Sequence, residues 1–162
     1  GNVVNSYTIP TIEAAMKLAS KCRYGVRAVL EIAHNYGLRP TKRREIAANQ
    51  ELNDSYLENI LLDLKNKDII LALRGAKGGF VLRRAPEEIT MLQIVESLQG
   101  CLSPAECLTM PDLCNRVERC VTRPVWQKVK EAQEDVLKNI TIRDLLNQEK
   151  ELPKKPENSF SI

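Results

Sequence analysis

Cys101, Cys107, Cys114 and Cys120 place four of the chain's five thiols within about twenty residues of the stretch Gly100–Val125. The intervals are six, seven and six residues. The stretch also holds Pro104 and Pro111 and has little helical periodicity. Such a loop can bring thiolates together from a flexible backbone. Thiolates are the usual ligands of iron–sulfur clusters, they hold structural zinc, and they serve as oxidation switches. Structural zinc favours closer C-x-x-C spacing, which the loop lacks. The chain has no apolar run near the length of a membrane span and no signal-peptide core, so a cytoplasmic, reducing location without a membrane partner is expected. There, an odd number of clustered cysteines points to metal, cluster or redox chemistry rather than a disulfide framework.

The other reactive side chains carry less. Cys22 falls on the apolar stripe of a predicted helix and reads as a core thiol. His34, the one histidine, has no catalytic partner nearby in sequence. Without a nucleophile–base pair, an enzyme is not expected.

The elements that position the loop follow from hydrophobic spacing. The chain has 162 residues, 43% apolar and 4% aromatic, so Leu, Ile and Val must build the core. Its net charge of +3 is unevenly spread. Residues 16–90 hold 14 Lys/Arg against 9 Asp/Glu, and residues 91–162 hold 10 against 11. The first half is therefore the half suited to a polyanion.

A helix is predicted over 17–37, with Leu18, Cys22, Val26, Val29, Ala33 and Tyr36 on one face. A short helix from Thr41 to Asn49 turns Ile46 and Ala47 inward and opens with Lys42, Arg43 and Arg44. A turn at 50–53 leads to a third helix over 54–67, with Leu57, Ile60, Leu61 and Leu64 inward. Ser55 and Glu58 have capping-box spacing at its start. The runs 69–73 and 80–82 flank RGAKGG and predict a hairpin that carries Arg74 and Lys77. Helix-turn-helix followed by a basic hairpin makes a winged helix, whose recognition helix enters the major groove of duplex DNA.

A fourth helix over 90–98 turns Leu92, Val95 and Leu98 inward. After the thiol loop, Pro124 opens a helix to about Ile140. Val125, Val129, Ala132, Val136 and Ile140 form a seam along it that calls for a partner helix and predicts a homodimer. A short helix over 141–147 follows. The expected fold class is mainly α with a small β-hairpin. The expected division is a leader over 1–15, a winged-helix domain over 16–99, a sensor loop over 100–123, a dimerisation segment over 124–147 and a disordered tail over 148–162. Gly1 reads as a tag remnant.

MKLASKCRYGVRAVLEIA at 16–33, LNDSYLENILLDLKNKDII at 52–70, RGAKGGFVL at 74–82 and CVTRPVW at 120–126 resemble the IscR/NsrR/CymR (Rrf-type) bacterial regulators over nearly the whole of 16–147. The resemblance implies a dimeric winged-helix transcription factor on palindromic operators, with Met16 as natural start. It places Ser55, Tyr56 and Glu58 at the DNA-facing start of the recognition helix and Arg74 in the minor groove. Hydroxyls suit phosphate, Glu accepts from cytosine, and Arg suits a narrow minor groove. Glu58 has the cap as a competing role. Lys42, Arg43, Arg44 and Lys77 are the phosphate candidates.

The resemblance also implies that Cys107, Cys114 and Cys120 ligate an iron–sulfur cluster, 2Fe-2S in preference to 4Fe-4S. The fourth ligand departs from the pattern. Where some relatives have histidine this chain has Arg123, and where others have a partner-subunit acid it has Arg23. Cys101 is the substitute candidate, beside Glu106, Asp112, Glu118 or a small thiol. The alternative is a cluster-free regulator of the same fold, controlled by a partner enzyme of cysteine metabolism or by thiol oxidation.

Overall fold

The fold was analysed in a computed structural model that describes residues 17–153. The predicted leader, with Gly1 and Met16, and the tail from 154 onward lie outside the described residues.

Helix α1, Ser20–His34, buries Cys22, Gly25, Val26, Ala28, Val29, Ile32 and Ala33. This stripe is centred differently from the predicted one. Leu18 precedes the helix and is 37% exposed, and Tyr36 follows it and is 44% exposed. Gly25 lets the helix carrying Leu98 approach closely, since a Cβ there would lie 2.1 Å from Leu98 Cδ1 and that side chain would have to move. Helices α2, Arg43–Gln50, and α3, Asp54–Asn66, follow, joined by a short turn in which Glu51 adopts the left-handed conformation. Ile46, Leu57, Ile60, Leu61 and Leu64 are buried as expected. Strands β1, Ile70–Leu73, and β2, Gly79–Leu82, pair antiparallel, with Ile70 opposite Leu82 and Leu73 opposite Gly79.

Two glycines shape the wing. A Cβ at Gly78 would lie 2.1 Å from the Leu73 carbonyl oxygen, and one at Gly79 would lie 2.7 Å from that of Thr41. The second approach lets Thr41 and Phe80 exchange backbone hydrogen bonds of 2.9 and 2.8 Å. The segment entering α2 is thereby tied to the wing.

Helix α4, Met91–Gln99, starts at a Thr90 cap whose hydroxyl accepts from Gln93 N. Ile94 and Val95 are its buried residues. Leu92 and Leu98 are only half-buried. The thiol stretch then runs through three short 3-10 turns, Glu106–Leu108, Pro111–Leu113 and Val117–Arg119, none of which buries a residue. Helix α5, Arg123–Lys138, also buries none, and it ends before Ile140. Helix α6, Ile142–Glu151, is longer than predicted and takes up the start of the expected tail. Its Ile142 and Leu146 enter the same core as α1 and α3. Two backbone bonds anchor it, Met91 N to Ile140 O at 2.8 Å and Ile142 N to Ile89 O at 2.9 Å. The structure is thus mostly helical with a small two-stranded sheet. Among the described residues no helix is long and apolar enough to cross a membrane.

Candidate nucleic-acid interface and thiol loop

The start of α3 is built around Asn53, not around a Ser55–Glu58 box. Asn53 Oδ1 accepts from Ser55 N at 3.0 Å, Tyr56 N at 3.3 Å and Ser55 Oγ at 2.7 Å. Asn is among the best N-caps because its short side chain reaches the first free amides. With Asn53 in that role, Ser55 lies one residue inside the helix, and Glu58 cannot return to a cap at Ser55. The carboxylate instead meets Arg43, whose Nη1 lies 3.2 Å from Glu58 Oε1 and whose Nε lies 3.0 Å from Asp54 Oδ1. Arg43 therefore links α2 to the first turn of α3 and offsets two acids there. Sequence reading missed Asn53, although an Asn three residues before Tyr56 is itself a cap signal.

Tyr56 is half-buried and meets Tyr24 of α1 edge-on, with centroids 6.0 Å apart at 87°. Arg23 and Arg27 lie over the Tyr24 ring at 5.8 and 5.4 Å. Arg27 also donates to the Gln50 side chain and carbonyl at 2.5 and 3.1 Å, and so holds the end of α2. These two arginines were not among the expected interface residues. On the other flank, Lys42, Arg43, Arg44, Asp54 and Phe80 line one open hollow of ≈420 Å³. The entry of α2, the start of α3 and the wing therefore meet there. Glu45 tightens that entry. It accepts from Lys42 N at 2.7 Å and pairs with Arg39 at 2.8 Å. The Arg39 hydrogen bond, with that from Lys42 N, lowers its pKa to about 2. Arg74 and Lys77 are exposed on the wing turn.

The thiols sort by environment. Cys22 is fully buried, 3.2 Å from Gln99 Oε1, and burial raises its pKa to about 11. That is the inert core thiol expected. Cys101 is exposed, and Cys107, Cys114 and Cys120 are half-buried. Cys120 Sγ lies 3.3 Å from Thr122 Oγ1. That hydroxyl, aided by the amides of Thr122 and Arg123 and by Arg116, lowers the thiol's pKa. Arg123, at the position discussed for a fourth ligand, donates to the Cys107 carbonyl at 3.4 Å.

Three thiols are the right donors for a cluster in kind. In place they are not, since among the described residues no three Cys, His, Asp or Glu side chains form a group able to hold a metal ion. The loop as folded here does not fit a cluster. His34, expected to have no chemistry, pairs with Glu149 of α6 at 2.6 Å.

Of the predicted seam on α5, Val125, Ala132 and Val136 are exposed, whereas Val129 and Ile140 are half-buried. Val125 is 51% and Val136 61% exposed. The side turned inward is largely polar, with Lys130 and Glu134 paired. Val129, Ala132 and Val136 border an open groove of ≈1020 Å³, whose other wall includes Leu18, Cys101 and Leu102.

Comparison with known proteins agrees with this architecture. Residues 18–148 match the Rrf2 family, described as iron-dependent transcriptional regulators. The chain is 35% identical over 130 residues to the HTH-type transcriptional regulator CymR of Bacillus subtilis, covering 80% of this chain and 89% of that protein. It is 30% identical over 132 residues to IscR of Erwinia tasmaniensis, covering 82% and 79%. Among solved structures it is similar to CymR, the global cysteine regulator of B. subtilis, with a TM-score of 0.69, 32% identity, and 82% and 98% of the two chains covered. It is equally similar to T. potens IscR, with a TM-score of 0.69, 32% identity, and 86% and 94% covered. These relatives are named as regulators, not enzymes, and the chain itself belongs to the Rrf2 family of winged-helix transcriptional regulators.

Proposed function

We propose that the protein is a homodimeric regulator that binds palindromic operators and is controlled through its thiol loop. One observation carries this reading. The winged-helix half closes its own core, whereas α5 leaves an apolar seam largely exposed next to the loop. A seam whose Val125, Ala132 and Val136 are exposed is costly unless a second copy covers it. Two copies joined there present two recognition helices, as a two-fold operator requires. Ser55, Tyr56 and Glu58 face the operator. Lys42, Arg44 and Lys77 meet phosphates, Arg74 serves the wing, and Arg43 chiefly holds the acids of α3.

Cys107, Cys114 and Cys120 are the sensing residues. The family's description as iron-dependent and the donor type support an iron–sulfur group there, of the two-iron kind, with Cys101 as further candidate. Such a group requires the loop to refold from the arrangement described above. A second reading is favoured by the scattered thiols and the lowered pKa of Cys120: control without a cluster, by thiol oxidation or by a metabolic enzyme bound to the dimer.

Anaerobic purification and reconstitution test both readings, with visible absorption, iron and sulfide analysis and DNA binding measured together. The cluster reading expects a chromophore that Cys114→Ala abolishes, with a change in operator affinity. A colourless, iron-free product whose DNA affinity responds to peroxide establishes the second. Absence of any sequence-selective DNA binding in every form sinks the regulator assignment.

A further inference from the structure

We propose that Asn59 and Leu62 are specificity-determining residues on the DNA-reading ridge of α3, selecting an adenine and an adjacent thymine in each half-site. The inference rests on the operator-binding reading above and deepens it.

Seen around the α3 axis, Leu57, Ile60, Leu61 and Leu64 face the core. The opposite ridge consists of Ser55, Asn59 and Leu62, at steps of four and three residues, so they lie in one row. All three are exposed, and Leu62 is 48% exposed. Leu62 is thus a largely exposed apolar side chain on an otherwise polar ridge.

The neighbouring candidates are already engaged. Ser55 Oγ donates to Asn53, and Glu58 is held by Arg43. Asn59, in contrast, makes no side-chain hydrogen bond among the described residues. Its carboxamide keeps one acceptor and two donor hydrogens for a ligand.

The ridge also lies between two cationic flanks. Arg23 and Arg27 gather over Tyr24, beside Tyr56, on the α1 side. Lys42 and Arg44 stand on the α2 side. A ridge with positive charge on both sides complements a groove walled by two phosphate strands.

Within the major groove, a carboxamide pairs in bidentate fashion with adenine N6 and N7, and an aliphatic side chain packs on the thymine methyl. Asn59 and Leu62, one helical step apart, read neighbouring base pairs. Arg43, by holding Glu58 towards α2, leaves Asn59 the nearer polar reader.

The test is selection from a randomised duplex DNA pool followed by sequencing, with the full chain and with Asn59→Ala, Asn59→Asp and Leu62→Ala. Both positions are exposed, and circular dichroism checks that each variant folds. The wild type is expected to enrich a two-fold symmetric motif. Asn59→Ala should lose an adenine preference at one position per half-site, by roughly 5- to 150-fold in the affinity ratio, the usual range for one bidentate contact. Asn59→Asp should replace that preference with cytosine, whose amino group donates to a carboxylate. Leu62→Ala should weaken the thymine preference one position away. Variants that keep the wild-type motif at wild-type discrimination overturn this inference alone. A wild type that enriches no motif overturns it together with the operator-binding reading.

Discussion

The winged-helix half and the segment from Cys101 to Lys138 solve the burial problem in opposite ways. In the first, α1, α3, β1 and α4 close a continuous aliphatic core, to which α6 returns Ile142 and Leu146. In the second, neither the 3-10 turns nor α5 buries a residue. One region is complete as a single chain. The other leaves an apolar seam largely exposed and three thiols half-buried. A regulator profits from that division, since a response needs a region whose order changes while the DNA-reading frame stays intact.

The contrast can be broken by experiment. The largest effect is expected in thiol reactivity. Cys22 must wait for opening of the core, and its pKa is raised to about 11. Cys120 has a lowered pKa and needs no such opening. Alkylation followed by peptide mass spectrometry at neutral pH should modify Cys120 far ahead of Cys22. Equal rates would mean that the α1–α4 contact is not closed. Next in size, Leu57→Ala removes a fully buried side chain and should destabilise the protein by roughly 2–5 kcal/mol in denaturant unfolding.

Val129→Asp with Val136→Asp should cost the isolated fold little, yet convert the proposed dimer to monomer in sedimentation and weaken operator binding. A loss of helical signal in its place would show that α5 belongs to the chain's own core. Asn53→Ala should cost about 1 kcal/mol by removing the cap of α3, whereas Ser55→Ala should cost less, an order that reverses if Ser55 were the cap.

The smallest effect concerns pH. Glu45 falls from 4.5 to about 2 on folding, so its contribution is present above pH 4.5 and fades as pH falls towards 2. Glu45→Gln should therefore flatten the acid limb of the stability profile, while leaving the neutral region close to its new baseline.

Much of the frame was legible in the residues. The α3 core positions and the hairpin around RGAKGG follow from local spacing, and the structure agrees. The end positions of α1 and the cap of α3 did not follow. Leu18 and Tyr36 match the helical period, but the chain leaves the helix before their faces can be buried. Ser55 and Glu58 match the capping spacing, but Asn53 competes for the same amides with a favourable geometry. The extension of α6 beyond 147 likewise depends on a surface provided elsewhere, where His34 meets Glu149.

By itself, the sequence determined which elements form and which thiols exist, because helical period, strand alternation and glycine-permitted turns are local properties. The tertiary structure alone decided their company. Arg43 is drawn to two acids on the next helix, Arg23 and Arg27 to a tyrosine ring, and the α5 seam is left largely exposed. The Arg43 contacts and the exposure of the seam depend on side chains of separate helices, and on which charges and apolar surfaces packing brings within a few ångströms; the arginines over Tyr24 share its helix, and only the meeting of Tyr24 with Tyr56 is tertiary.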